Sequence, residues 1–403
     1  MRVLAACSLG GAGHLQPLLP FLAAARRRGD EVLVVGPPAI GEMVARSGYP
    51  FRAGGEPPEA QVAPIRERLP VAPPGEASEL ANRELFGRLA TSAMLPAVER
   101  VLADWHPELV LREPCEYASA VAAPGMGIRS AQVAISLADV EAGAIITAAP
   151  ALEAHRPGLT DELRRSAYLT RFPSSLDPSR FAATLRYQEP EASVGELPDW
   201  WDGSDAPLVY LTFGTVLGHM TIAPVVYETA MRAVAGLECR VLLTIGRQVD
   251  PASLGPVPGN VHIEPWVDQA DVLARAGLVV CHGGSGTMFG ALAAGVPVVA
   301  VPLFADQFEN GRRLARSGAG VVVEAPAAEI DGSRSPIGRD DAPRIAEAIS
   351  VVLASGAYRR QAGRVAAEVG AAPTADEVIG QLLGDRAGEG GARRGSGDVG
   401  AAG

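Results

Sequence analysis

Only four of the 403 residues are cysteine. Cys7, Cys115, Cys239 and Cys281 each stand alone in apolar context, with no CxxC pair and no cysteine–histidine spacing that suits zinc. That excludes a disulfide framework and points to reduced, buried thiols in a cytoplasmic protein. Excess positive charge is also missing. The net charge is −11, which argues against a nucleic-acid partner, because phosphate backbones attract a basic surface. Long apolar runs are absent: GLVVCHGG and GVPVVAVPLF are broken by glycine and proline, so no stable membrane insertion is expected. The opening MRVLAACSLGG lacks the apolar core and cleavage site of a signal peptide, in keeping with a cytoplasmic location.

Two phosphate-loop signatures are missing as well. No GK[ST] appears, so there is no Walker loop. The stretch GGAGHLQP at residues 10–17 starts like a dinucleotide fingerprint but fails at its last glycine, and the second strand ends VVGPP without an acid to hold a ribose. An NAD-dependent enzyme is therefore disfavoured. No acidic pair of the DxD kind is placed to hold a metal, so no metal requirement and no cofactor are expected.

What the chain does contain is repeated β-α units. MRVLAACS and DEVLVVG read as strands without period-2 alternation, the pattern of parallel strands covered on both faces, and helices follow each. A length of 403 residues is too much for one ordinary core. Residues 53–80 are rich in proline, glycine and glutamate and read as a long surface loop. Residues 79–105 read as a helix, and 130–185 as a mixed region in which no parallel unit stands out. Residues 187–207 carry no convincing element, and the β-α pattern restarts at APLVYLTFGT. The expected architecture is thus α/β with two Rossmann-like domains: 1–190, a linker at 191–206, a second domain at 207–384, and a glycine-rich, disordered tail at 385–403.

The candidate chemistry lies at strand ends. His14 follows the first strand, where open α/β sheets place their ligands, and an imidazole there suits a general base. Gly11 and Gly13 beside it allow close approach of a substrate. A histidine base works best with an orienting acid, and PELVLREPCEY offers Glu113 or Glu116. A second cluster, VVCHGGSGTMFG, puts His282, Gly284, Ser285, Gly286 and Thr287 at the start of a helix, a ready-made anion site. Thr215 ends another strand and could offer a hydroxyl to the same phosphates. Trp266 in HIEPWVDQ could stack a nucleobase while the Val267 backbone reads its edge, although a lone tryptophan is more often core. Asp306 and Gln307 suit sugar hydroxyls, with Asn310 one helical turn beyond Asp306.

HGGSGT, with EPWVDQADVL before it and LFADQFENGRR after it, resembles the donor signature of inverting nucleotide-sugar glycosyltransferases of the GT-B type. More narrowly the chain is similar to the actinobacterial branch that decorates macrolides, aromatic polyketides and enediynes. The resemblance implies two facing Rossmann-like domains, with His14 deprotonating the acceptor and Glu113, or Glu116, supporting it. It also implies a diphosphate site at Thr215, His282, Gly284, Ser285, Gly286 and Thr287. Trp266 and Val267 would hold the base, and Asp306 and Gln307 the donor sugar. Ala305 before that pair resembles the bacterial deoxysugar enzymes, which points to a dTDP-linked donor and a small-molecule aglycone as substrates. A lipid or sterol glycosyltransferase and a non-catalytic auxiliary protein are the rival readings. The sequence leaves homodimerisation open.

Overall fold

A computed structural model describes residues 1–383 except 10, 70–71, 191–192, 202, 325–327, 331–332 and 336. Gly10 and the expected tail at 385–403 lie outside the described residues.

Seven parallel strands form the first sheet: β1 (Arg2–Ala6), β2 (Glu31–Gly36), β3 (Phe51–Ala53), β4 (Leu109–Arg112), β5 (Arg129–Val133), β6 (Ala167–Thr170) and β7 (Ala183–Arg186). Six more form the second: β8 (Leu208–Thr212), β9 (Arg240–Thr244), β10 (Val261–Glu264), β11 (Leu278–Cys281), β12 (Val298–Ala300) and β13 (Gly320–Val322). The strand orders are β3-β2-β1-β4-β5-β6-β7 and β10-β9-β8-β11-β12-β13. Both sheets therefore reverse direction of growth between their first and fourth strands, β1 and β4 in one, β8 and β11 in the other. A crevice opens at such a switch point because the flanking helices leave to opposite faces.

The missing alternation of the strands has the expected cause. Val3 and Ala5 of β1 enter one apolar cluster and Leu4 and Ala6 another, so both faces are covered. In β8, Val209 and Leu211 face one cluster and Leu208 and Tyr210 the other. The stretch 187–207 carries no helix or strand among its described residues.

Two regions differ from the sequence expectation. Residues 53–80, expected as a loop, contain helices Glu59–Arg68 and Pro74–Ser78. They cover only the small cluster of Ile65, Leu80 and Leu89, so they carry too few apolar residues to show a period. Residues 130–185 contribute three parallel strands and the helix Ala138–His155. β5 hides a buried Gln132 in its middle and β7 is a half-exposed edge, so neither reads as an apolar run. The predicted helix at 79–105 is continuous, π-helical over Glu79–Ala90 and α-helical over Thr91–Trp105.

The last described helix, Ala375–Leu383, returns to the first sheet. Ala375, Val378, Ile379 and Leu383 join the cluster of Leu18, Phe21 and Leu22, and Arg27 Nε bonds Asp376 Oδ1 at 3.0 Å. The first core is thus completed by residues far outside 1–190. Ile379 is fully buried there. Ile379→Ala is expected to destabilise the first domain by about 2–5 kcal/mol, read as a lower urea midpoint of its transition by circular dichroism.

Candidate active site

The β1–β4 pairing creates the first half of the site. Ser8 lies just past β1, and its N–H donates to Glu113 Oε1 at 2.9 Å, while the Cys115 N–H donates to Oε2 at 2.7 Å. The Glu113 carboxylate is fully buried and faces the loop after β1. His14, in the short helix Ala12–Leu15, places Nδ1 3.1 Å from Glu113 Oε2. Its ring remains 21% exposed, so the dyad is reachable from solvent. Burial disfavours charge on His14, but the Glu113 carboxylate outweighs it and holds the imidazole above its ordinary 6.5. Burial likewise pushes Glu113 up, but His14 and the Cys115 and Ser8 amides together leave it below the usual carboxylate value.

Glu116, the other candidate, is used elsewhere. It accepts the Ser119 N–H at 3.0 Å and the Ser119 hydroxyl, at the start of the helix Ala118–Ala122. A Cβ built on Gly11 or Gly13 meets nothing within 4 Å. The packing of the chain does not require glycine at either position, and both are exposed. The Phe86 ring lies 6.0 Å from the His14 imidazole.

The sequence reading missed the layer beneath the dyad. Buried Arg112 donates to the carbonyls of Glu113, Pro114 and Glu116, and to Gln132 Oε1 at 2.5 Å. Gln132 Nε2 donates to Glu141 Oε2 at 2.9 Å, and Glu141 Oε1 takes the N–H groups of Ile135 and Ser136 at 2.8 Å each. Burial pushes the Glu141 carboxyl up to about 8, against those hydrogen bonds. The signal was the charged REPCE directly after an apolar strand, but only strand order shows what those charges meet.

The second half lies at the β8–β11 switch point. β11 runs into His282 and then the helix Ser285–Ala293, whose first N–H groups have no partner within the helix. Gly214, after β8, has φ +73° and its Cβ would sit 2.9 Å from His282 Cε1. A Cβ on Gly284 would overlap the same ring. Both glycines are therefore needed to let the backbone close around His282. Burial pulls His282 down to about 4, against the opposing pull of Asp306 and the Thr212 backbone, so the ring is neutral at pH 7. Thr215 is exposed beside this turn, and Gly286 and Thr287 stand at the accessible end of the helix.

Asp306 ties the two halves together. Its Oδ2 accepts Ser285 Oγ at 3.0 Å, Asn310 Nδ2 at 3.1 Å and, from the first domain, Ser136 Oγ at 2.6 Å. Arg313 reaches Asp139 at 2.5 Å, and Phe172 packs on Phe289 with centroids 3.9 Å apart and the rings tilted by 35°. Ala305 holds φ +56°, an unfavourable conformation for a residue with a Cβ, and so aims Asp306. Gln307 is buried, and its Oε1 accepts the N–H groups of Leu303 and Phe304 at 2.9 and 3.0 Å, bracing the turn. Trp266 is 52% exposed with Arg247 over its ring at 4.9 Å, so it is not core, while Val267 packs into the second domain.

Among the described residues one group could hold a metal ion: His14, Glu113 and Cys115, whose ligand atoms lie within 4.8 Å of one another. Spacing along the sequence gave no sign of it.

Residues 228–384 match the family described as erythromycin biosynthesis protein CIII-like, C-terminal domain. The chain is 32% identical over 386 residues to L-demethylnoviosyl transferase of Streptomyces niveus, covering 93% of this chain and 95% of that one. It belongs to this family of actinobacterial antibiotic glycosyltransferases. This glycosyltransferase superposes on the glycosyltransferase SnogD of Streptomyces nogalater with a TM-score of 0.73 and 26% identity, over 95% of this chain and 99% of that one. It also matches the glycosyltransferase SsfS6 of Streptomyces sp. SF2575 complexed with thymidine diphosphate, with a TM-score of 0.72, 24% identity and coverage of 95% and 99%. The two facing α/β domains are the GT-B architecture. No described helix is long and apolar enough to cross a membrane.

The His14–Glu113 contact makes a pH prediction. With His14 as the base, kcat/KM would fall as pH drops through its pKa, because an imidazole accepts a proton only when deprotonated. Glu113→Gln removes the influence that raises this pKa and leaves the burial that lowers it. The acidic limb of the kcat/KM profile is expected to move to lower pH, with a loss of about 100-fold or more in the maximum. An unmoved limb would separate His14 from the rate.

Proposed function

We propose that the enzyme moves a deoxysugar from a dTDP-linked donor to a hydroxyl of a small natural-product aglycone, with inversion and with His14 as general base. The observation that carries this reading is the His14–Glu113 dyad, Nδ1 to Oε2 3.1 Å, at the first switch point. Glu113 favours the tautomer with its proton on Nδ1, which leaves the Nε2 lone pair for the acceptor hydroxyl. As Nε2 takes that proton, the acceptor oxygen bonds the anomeric carbon and the bond to the diphosphate oxygen breaks on the opposite face. The configuration inverts in a single displacement.

The leaving diphosphate gains negative charge. The N–H groups at the start of Ser285–Ala293 and the Thr215 and Thr287 hydroxyls are the donors that would receive it, with the neutral His282 packed beside them. Trp266 would stack the base, and Asp306 would hold the sugar through the carboxylate oxygen not engaged by Ser136, Ser285 and Asn310. In this reading Gln307 contributes by bracing that turn. The thymidine diphosphate in the SsfS6 structure and the Ala305–Asp306 pair support a dTDP donor. The Phe86 ring 6.0 Å from the His14 imidazole supports an acceptor with apolar ring surface. No metal is assigned a step.

His14→Ala is expected to lower kcat by about 10²–10⁴-fold while calorimetric dTDP affinity stays unchanged. His282→Ala is expected to weaken dTDP binding. EDTA should leave the rate intact. Parallel loss of turnover and dTDP affinity in His14→Ala would move that residue to the donor site, and a rate abolished by EDTA and restored by Mg²⁺ would assign a metal to the reaction.

A further inference from the structure

The side chain of Cys115 has no part in the proposed transfer, yet it lies against the dyad. Its sulfur, a His14 ring nitrogen and a Glu113 oxygen all fall within 4.8 Å of one another. Two of the three are already fixed. Glu113 is held by the Ser8 and Cys115 amides at 2.9 and 2.7 Å, and His14 Nδ1 lies 3.1 Å from its Oε2. Ligands bound to tetrahedral zinc at ~2.0–2.1 Å for nitrogen and oxygen, and ~2.3 Å for sulfur, sit roughly 3.3–3.8 Å apart. The nitrogen–oxygen gap is therefore close to that edge, and the sulfur, within 4.8 Å of both, has to move closer for all three to bind. Cys115 is half-buried and His14 part-exposed, so an ion can arrive from solvent.

We propose that His14, Glu113 and Cys115 form a three-ligand site for a thiophilic divalent cation, and that filling it switches the glycosyltransferase off. One sulfur, one nitrogen and one carboxylate favour Zn²⁺ over the oxygen-seeking Mg²⁺ and Mn²⁺. The thiol releases its proton to solvent as sulfur binds, nothing is oxidised or reduced, and the fourth position stays open to water. Zinc on the His14 ring and on Glu113 blocks the proton transfer from the acceptor, so occupancy and turnover exclude each other. The inhibitory consequence rests on His14 being the base, whereas the binding does not.

The test uses the full chain with Zn²⁺ as the probe, titrated against a competing zinc indicator, and with Co²⁺ as a spectroscopic substitute. The wild type is expected to bind one Zn²⁺ with loss of activity, to recover on adding EDTA, and to ignore Mg²⁺ at the same concentration. With Co²⁺ it should show a thiolate charge-transfer band. Cys115→Ser and Cys115→Ala should each weaken Zn²⁺ binding by more than about tenfold and abolish the band. Each should raise the inhibitory Zn²⁺ concentration by the same factor, measured against its own uninhibited rate. Equal Zn²⁺ affinity in the wild type and both variants, or a Co²⁺ complex without the thiolate band, would overturn the proposal. If Zn²⁺ binds as expected but His14→Ala keeps full turnover, the catalytic reading fails and the metal site stands. The reverse pair of results leaves the base and removes the site.

Discussion

A carboxylate with no access to water must be met by donors, and Glu113 meets that demand from both sides of one crevice. The Ser8 amide comes from the end of β1 and the Cys115 amide from the turn after β4. Neither would be there if β1 and β4 were not neighbours, 107 residues apart at their starts in Arg2 and Leu109 but paired in parallel from Val3 with Leu109. Strand order thus decides where the negative charge sits, and the charge decides the state of His14. Arg112 secures the same turn from below through three carbonyls, so the acid is fixed before any substrate arrives.

The same layer reaches across to the other domain. Glu141, its carboxyl pushed up to about 8 by burial, gathers the Ile135 and Ser136 amides and so sets the loop that presents the Ser136 hydroxyl to Asp306. Asp306 is held from its own side by Ser285 and Asn310, in the helices Ser285–Ala293 and Gln307–Ser317. The dyad and the candidate donor site therefore share one continuous set of hydrogen bonds, from Arg112 through Gln132 and Glu141 to Asp306. The helix Ala375–Leu383 adds a second tie, because it ends the chain of the second domain on the core of the first.

The strand ends that carry the candidate site residues were legible in the sequence because their residue types are unusual at the end of a buried strand: GAGH, REPCE and HGGSGT each interrupt an apolar run. The two-domain α/β fold was legible from repeated strand–helix units. The choice between Glu113 and Glu116 was not, since it depends on which carboxylate faces the Ser8 amide and which faces Ser119. Gln307 was read for its amide chemistry alone, and only the turn at Leu303 and Phe304 shows what its oxygen accepts. β5 to β7 escaped notice because a buried Gln132 in mid-strand belongs to the polar layer and breaks the apolar pattern by which strands are found. The Cys115 neighbourhood was hidden for the same reason as the dyad: His14 and Cys115 meet only through the β1–β4 pairing.

The two histidines show what local charge does to one side chain. Burial disfavours the protonated form of both. For His14 a fixed carboxylate 3.1 Å away reverses the outcome, and for His282 the pull of Asp306 does not, so that ring falls to about 4. In the proposed mechanism this is a division of roles. A base must accept a proton from the acceptor, and an adjacent carboxylate stabilises the imidazolium that results. A group facing the leaving diphosphate has a different task, because a permanent positive charge there would hold the product as an ion pair. A neutral His282, its one N–H directed at the Thr212 carbonyl, adds no such charge, and the backbone N–H groups of the helix supply fixed partial charges instead.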